Sequence, residues 1–346
     1  MNDKPQRNSS STSRNLLRIL GYGLAAAYLV WVLRDFRIVQ ALREFASVDW
    51  KWVILGMAFD VLSYGVQALR WKILLGPFGK IRLGAAIRAV YSGLFANLIF
   101  PLRPGEVLRA YLISNGEGIT LGKVLGSVGV ERLIDLVIAT AALGVASLFV
   151  DLPRRFQRAA YIFSFVTFVV LAIVVVVIFY LETKIGDDTD FGKERQGFSA
   201  RAMSALAALH AMGTAPSFYL AVLTSLLMPF CQVLALWAIM RAYGLPLPFL
   251  AAVVVLLVIN IGVSLPNAPA NVGSYQFFCV LGLSIFQIER STASAFSIFA
   301  FIALTFPFLF LGFAAIVRSG LSLGSMRQQV TSLPRQSLKS SPQNSD

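Results

Sequence analysis

Apolar runs of membrane-crossing length recur along the chain, at 16–33, 50–69, 84–100, 121–150, 159–181, 217–240, 249–265, 271–287 and 295–317. A helix needs about 20 apolar residues to cross a hydrocarbon core about 30 Å thick. A closed barrel would instead show strands of about ten residues with alternating polarity. The pattern predicts an all-α polytopic membrane protein with about six full transmembrane helices and two proline-broken, re-entrant helix pairs (about eight spans by simple hydropathy). The first run follows a polar, basic stretch bearing Lys4, Arg7, Arg14 and Arg18. No small-x-small cleavage site precedes Arg34 and further spans follow, so it reads as an uncleaved first helix rather than a signal peptide.

Two runs break at proline-rich elements, Pro101-Leu102-Arg103-Pro104-Gly105-Glu106 and Pro266-Asn267-Ala268-Pro269-Ala270-Asn271. Both have the form Pro, two residues, Pro, then a small residue. Each follows an apolar run containing an asparagine, Asn97 or Asn260, and each leads into another amphipathic or apolar run. This is weak internal symmetry. Transporters often carry inverted repeats with interrupted helices whose freed backbone lines the substrate site, and irregular backbone at membrane depth is tolerated only inside protein or beside water. The alternative is two interfacial loops whose prolines simply end helices.

Charge placement suggests a topology. The stretch 70–88 carries Arg70, Lys72, Lys80, Arg82 and Arg88 without an acid, which places it in the cytoplasm by the positive-inside rule. The N terminus, the segment 182–216 and the tail after Arg318 then share that side, and one broken element enters from each face. Arg154, Arg155 and Arg158 fall outside, against the rule. Residues 1–15 and 319–346 read as disordered, 16–318 as the transmembrane domain, and 201–212 as an amphipathic cytoplasmic surface helix.

Composition narrows the classes of function. Only 14% of the 346 residues are charged and 57% are hydrophobic, whereas soluble domains carry roughly a quarter charged residues. The net charge of +13 fits flanking lysines and arginines attracted to anionic lipid; no basic run accompanies a nucleic-acid-reading module. With Cys231 and Cys279 in apolar runs and His210 alone, neither a disulfide framework nor a metal site is expected, and no cofactor-binding motif is present.

The candidate chemistry lies in charges within the apolar runs. Glu131, Arg132 and Asp135 sit inside 121–150. At 1.5 Å per residue, Glu131 is about 15 Å along this helix, near mid-membrane. Each midplane charge costs about 2.5–3.5 kcal/mol, so three facing lipid would cost on the order of 8–10 kcal/mol. They must face protein, a cavity or one another. Glu131 and Asp135 share a helix face and repel, while Arg132 points about 100° away from Glu131. A basic partner from elsewhere is therefore implied, and Arg103 and Arg109 are the natural candidates. The group formed by Arg103, Glu106, Arg109, Glu131, Arg132 and Asp135 reads either as an ion-pair network locking helices together or as a site for an anionic headgroup, and the two are compatible. In the second reading the arginines pair phosphate oxygens and the acids hold them in register. Asn97, Pro101, Pro104, Gly105, Pro266, Pro269, Gly273 and Gln276 are the expected structural or cavity-lining residues. Arg70 and Lys72, beside Trp71, read as snorkelling anchors, and Asp60 as a possible member of the cavity wall.

The segments NLIFPLRPGEVLR (97–109), SVGVERLID (127–135) and LPNAPANVGSYQ (265–276), with ALRWK (68–72), resemble the lysylphosphatidylglycerol synthase transmembrane, or flippase-like, family. The resemblance covers roughly residues 15–318. It implies a bacterial or archaeal inner-membrane protein that moves or handles lipids between leaflets, with proposed cargoes such as aminoacylated phosphatidylglycerol, polyprenyl-phosphate-linked sugars or hopanoids. By motif it carries over Pro101, Arg103, Gly105, Glu106, Arg109, Glu131, Arg132 and Asp135. In the third segment Ala270 and Gln276 stand where the family usually has glycine and an acid. The full synthases add a soluble aminoacyl-transferring domain, and this chain ends near its last span, so aminoacyl transfer is not expected. The implied partner is membrane lipid, with a glycosyltransferase or lipid synthase as the partner in a rival, non-transporting role. An intramembrane enzyme using Glu131 or Asp135 as acid or base is a third reading, but no nucleophile or donor motif accompanies them.

Overall fold

The computed structural model describes residues 9–34, 36–100, 103–150, 153–185, 217–264 and 268–319. These residues form eleven α-helices and no strand. They are α1 (Ser9–Leu33), α2 (Ile38–Ala46), α3 (Trp50–Leu75), α4 (Leu83–Ile99), α5 (Gly105–Glu117) and α6 (Leu121–Phe149), followed by α7 (Arg154–Ile185), α8 (Ser217–Ala242), α9 (Phe249–Val263), α10 (Ser274–Ser284) and α11 (Arg290–Arg318). Helices α3, α6, α7, α8 and α11 are long and apolar enough to cross a bilayer. The protein is therefore an all-α polytopic membrane protein. Helix α1 starts at Ser9, earlier than the run at 16, because the polar Ser-rich stretch continues its helical backbone. The amphipathic helix expected at 201–212, Pro101 and Pro266 lie outside the described residues.

Helices pack where small residues let backbones approach, as in other membrane bundles. The broadest contact is α3 against α8. There a Cβ on Gly56 would lie 2.9 Å from the Ala235 carbonyl oxygen. Helix α1 docks on α10, with Tyr28 stacked on Phe277 at a centroid distance of 4.6 Å. Helix α2, too short to leave a hydropathy signal, lies between two spans with Ile38, Val39 and Leu42 exposed. Its Glu44 accepts hydrogen bonds from Tyr243 Oη at 2.5 Å and Gln40 Nε2 at 2.8 Å.

Helix ends gather into two sets. At one end of the bundle Asp49 N donates to Ala242 O at 3.0 Å, and Arg37 pairs with Glu289 at 4.0 Å. Val150 and Phe156, where α6 meets α7, pack there around Ala146 and Val254, as do Leu250, Ile285 and Phe286. At the other end Arg82 pairs with Glu117 at 3.5 Å, and Leu74 packs with Phe218. The pair α4–α5 therefore starts and finishes at one end, and α9–α10 at the opposite end.

Each pair stops short of a full crossing. At 1.5 Å per residue, α4 and α9 are about 25 Å and 22 Å long, and α5 and α10 about 20 Å and 16 Å, against a core of about 30 Å. Their broken tips meet inside the bundle, where Arg103 Nη1 donates to the Val263 carbonyl at 3.0 Å.

Candidate functional site

The two tips are held by local backbone chemistry. Asn97 Oδ1 accepts from Gly105 N at 2.8 Å, satisfying one of the free N–H groups that open α5. Pro104 precedes that helix as its cap residue, where a missing N–H does no harm. A Cβ on Gly105 would stand 2.0 Å from the Gly93 carbonyl oxygen, so α4 and α5 cross too closely for any side chain there. In the second element Pro269 opens a 3₁₀ turn, Pro269–Asn271. Gly273 follows at φ +86°, with Ala25 O only 2.4 Å from where a Cβ would go. Gln276, nearly buried, accepts from Gly273 N at 2.8 Å and so caps α10. Asn97, Pro104, Gly105, Pro269, Gly273 and Gln276 thus all lie at the two breaks.

Three acids and three arginines form a closed ring tying α3, α5 and α6 together. Arg70 donates through Nη2 to Glu131 Oε1 at 3.0 Å and through Nη1 to Asp135 Oδ1 at 2.5 Å. Glu131 Oε2 receives Arg109 Nη2 at 2.6 Å, and Arg109 Nε reaches Glu106 Oε2 at 2.7 Å. Glu106 Oε1 receives Arg132, whose Nη1 contacts Asp135 Oδ2 at 3.5 Å and closes the circuit. Charges alternate and sum to zero. Arg70 and Glu131 are 0% exposed, whereas Arg132 is 52% exposed. Trp71 supports the ring, lying 4.7 Å from the Arg109 guanidinium and donating its own N–H to Ser127 Oγ at 2.9 Å.

This arrangement corrects the reading of Arg70 as a snorkelling anchor: α6 runs beside the end of α3 and buries that guanidinium completely. A sequence signal for this exists. Asp60, Ser63, Gln67 and Arg70 recur at helical spacing and are all buried. A polar stripe of that kind on a membrane helix points at protein, not lipid. Five of the six residues expected to cluster are in the ring, and Arg103 is not.

Arg103 instead lines a cavity of about 210 Å³ between the two broken tips. Asp60 and Tyr64 of α3, Asn97 of α4, Asn260 of α9, and Asn271 and Tyr275 of the second element face the same space. Of the four non-glycine residues described with positive φ, three line this cavity: Arg103 (53°), Ala270 (56°) and Asn271 (58°). Left-handed backbone at non-glycine residues is unfavourable and concentrates at ligand sites. A second cavity of about 20 Å³, the size of one water, lies between Asn97, Gln67, Glu106 and Arg109 and adjoins both the large cavity and the ring. Among the described residues no cluster of potential metal ligands occurs.

Similarity to known proteins bears on the same segments. A UPF0104 membrane protein of Methanothermobacter thermautotrophicus is 28% identical over 132 residues, 38% of this chain and 38% of its own length. A second UPF0104 membrane protein, from Methanocaldococcus jannaschii, is 28% identical over 130 residues, 37% of this chain and 38% of its own. Glycosyltransferase AglD of Haloferax volcanii is 25% identical over 123 residues, 35% of this chain and 19% of that enzyme. The chain therefore matches well under half the length of each relative. No solved structure matches it. Residues 18–312 match the family described as the lysylphosphatidylglycerol synthase TM region, and with most of its length inside that match the chain belongs to this family of membrane-embedded proteins.

Proposed function

We propose that the protein is a lipid translocase of the inner membrane, taking a phosphate-bearing lipid headgroup into the cavity between the two broken helix pairs. The observation that carries this reading is the cavity itself. It joins Arg103, amide side chains and left-handed backbone from elements entering at opposite ends of the bundle. That is the arrangement in which transporters place a midplane site. Its volume suits a headgroup, leaving acyl chains in the surrounding lipid. Arg103 is the phosphate ligand, since a guanidinium pairs two phosphate oxygens at once. The ring of Glu106, Arg109, Glu131, Arg132 and Asp135, completed by Arg70, holds α5 and α6 in place beside it. The half-exposed Arg132 exchanges its pairing with Glu106 and Asp135 for the headgroup. In this reading both termini and the segment 182–216 are cytoplasmic, and cargo moves downhill or with an ion.

The test is headgroup movement in proteoliposomes with fluorescent phosphatidylglycerol and a polyprenyl-phosphate analogue. A hydrogen bond to a charged group contributes about 1.5–3 kcal/mol, so Arg103→Ala should slow movement roughly ten- to hundredfold in protein that remains folded and inserted. Movement at the wild-type rate in that variant would remove the cavity from consideration. The likeness to a protein named a glycosyltransferase supports one alternative, a non-transporting membrane partner of an enzyme acting on lipid-linked sugar. Folded, correctly inserted protein that moves neither lipid but co-purifies with such an enzyme would favour it.

A further inference from the structure

Asp60 is the one buried carboxylate among the described residues with no ionic or hydrogen-bonding partner for its side chain. Glu131, the other fully enclosed acid, is paired twice over. Asp60 is the eleventh residue of α3, about 15 Å along that helix and so near mid-membrane. Arg103 and Asp60 are the two charged residues of the cavity lining. The remaining titratable groups around Asp60 are the phenols of Tyr64 on its own helix, Tyr91 on α4, which donates to Val61 O, and Tyr275 on α10. Helices α8, α9 and α11 present only neutral Gln232, Asn260 and Thr305.

The charge balance follows. At a pH above the Asp60 titration the empty cavity holds one guanidinium and one carboxylate and is neutral. A headgroup phosphodiester adds one negative charge and leaves the cavity net negative at a depth where uncompensated charge is strongly disfavoured. Moving one proton from water to the Asp60 carboxylate restores neutrality, leaving Arg103 paired with phosphate beside a neutral carboxylic acid. Resting on the cavity being the headgroup site, we infer that entry of a singly charged anionic headgroup is coupled to protonation of Asp60, one proton for each headgroup carried in. A zwitterionic headgroup brings its own cation and calls for no proton. The coupling would supply a driving force, since acid on the loading side favours the loaded state.

Isothermal titration calorimetry of the full chain in detergent, in two buffers of different ionisation enthalpy, counts the protons. Above the Asp60 titration dihexanoyl phosphatidylglycerol should bind with uptake of about one proton, its affinity there falling up to about tenfold per pH unit. Dihexanoyl phosphatidylcholine should bind with none. Asp60→Asn, which mimics the protonated acid, should bind phosphatidylglycerol without uptake and without pH dependence. Binding of phosphatidylglycerol by the wild type with no uptake, equal uptake with both lipids, or undiminished uptake in Asp60→Asn would each overturn the coupling while leaving the headgroup site standing. Failure of the wild type to bind either lipid would overturn the headgroup site and the coupling together. Should Asp60→Asn not fold, the two-lipid comparison on the wild type decides alone.

Discussion

Arg70 and Arg132 belong to one ring yet differ in what their removal should do. Arg70 is wholly enclosed, and deleting it leaves Glu131 and Asp135 short of a cation inside the bundle. Breaking a buried pair by removing one partner costs about 3–5 kcal/mol, so Arg70→Ala should lower the melting temperature sharply in a thermal scan of detergent-solubilised protein. Arg132 is half exposed, and its pairs should contribute about 0–1 kcal/mol. Arg132→Ala should melt close to the wild type. Equal losses in the two variants would mean that the ring is uniformly buried in the membrane. The acids Glu131 and Asp135 are legible from sequence as groups in need of a cation. Which arginine answers them is not legible, because α5 and α3 both pass within reach and only their packing selects Arg109 and Arg70 together.

At the scale of elements, the two breaks depend on glycines that differ in kind. Gly105 stands where α4 and α5 cross, and Gly273 combines a positive φ with a close approach to Ala25. Overpacking costs about 1–3 kcal/mol, and a strained backbone adds to it. Gly273→Ala and Gly105→Ala should each lower stability by at least that much, with Gly273→Ala also loosening the contact between α1 and α10. Gly144, inside α6, meets nothing within 4 Å. There Gly144→Ala should be neutral or stabilising by about 0.5–1 kcal/mol, since alanine is the better helix former. Melting temperatures of the three variants check the contrast. The repeated Pro-x-x-Pro pattern made both breaks visible. The lock that each break uses was not visible: Asn97 reaches forward to Gly105 and Gln276 back to Gly273, contacts that exist only once the chain has turned.

Across the whole molecule, the helix ends form two sets, and the sidedness that charge suggests makes a prediction. Arg37 and Glu289 lie at one end and Arg82 and Glu117 at the other. Single cysteines at Arg37 and Glu289 should react with a membrane-impermeant maleimide in intact cells, and those at Arg82 and Glu117 only after permeabilisation. The native Cys231 and Cys279 are buried and should stay silent. The reverse pattern would invert the proposed orientation, and a mixed pattern would break the grouping of ends. The cluster Arg154, Arg155 and Arg158 lies at the start of α7, at the same end as Arg37, because Phe156 shares the apolar cluster around Ala146 and Val254 with Leu250 and Phe286. Nothing in the fold explains why three arginines sit there.

Helix class and the positions of the two breaks follow from the one-dimensional pattern. Water cannot satisfy backbone groups in hydrocarbon, so a run of about 20 apolar residues has little choice but to be a helix; the paired prolines end it, whereas the single Pro229 and Pro307 lie inside α8 and α11. That is why the runs at 84–100 and 249–265 match α4 and α9 closely. The short α2 escaped because nine residues carry too little hydropathy to register. Tertiary structure decided what the intramembrane charges do. Placing Arg103 in a cavity with Asp60, and outside the hydrogen-bonded ring, depends on two tips arriving from opposite ends and meeting. Charge pairing acts over a few ångströms between segments separated by tens to hundreds of residues. No local pattern encodes it, and only the packing of small residues against facing helices brings the partners within reach.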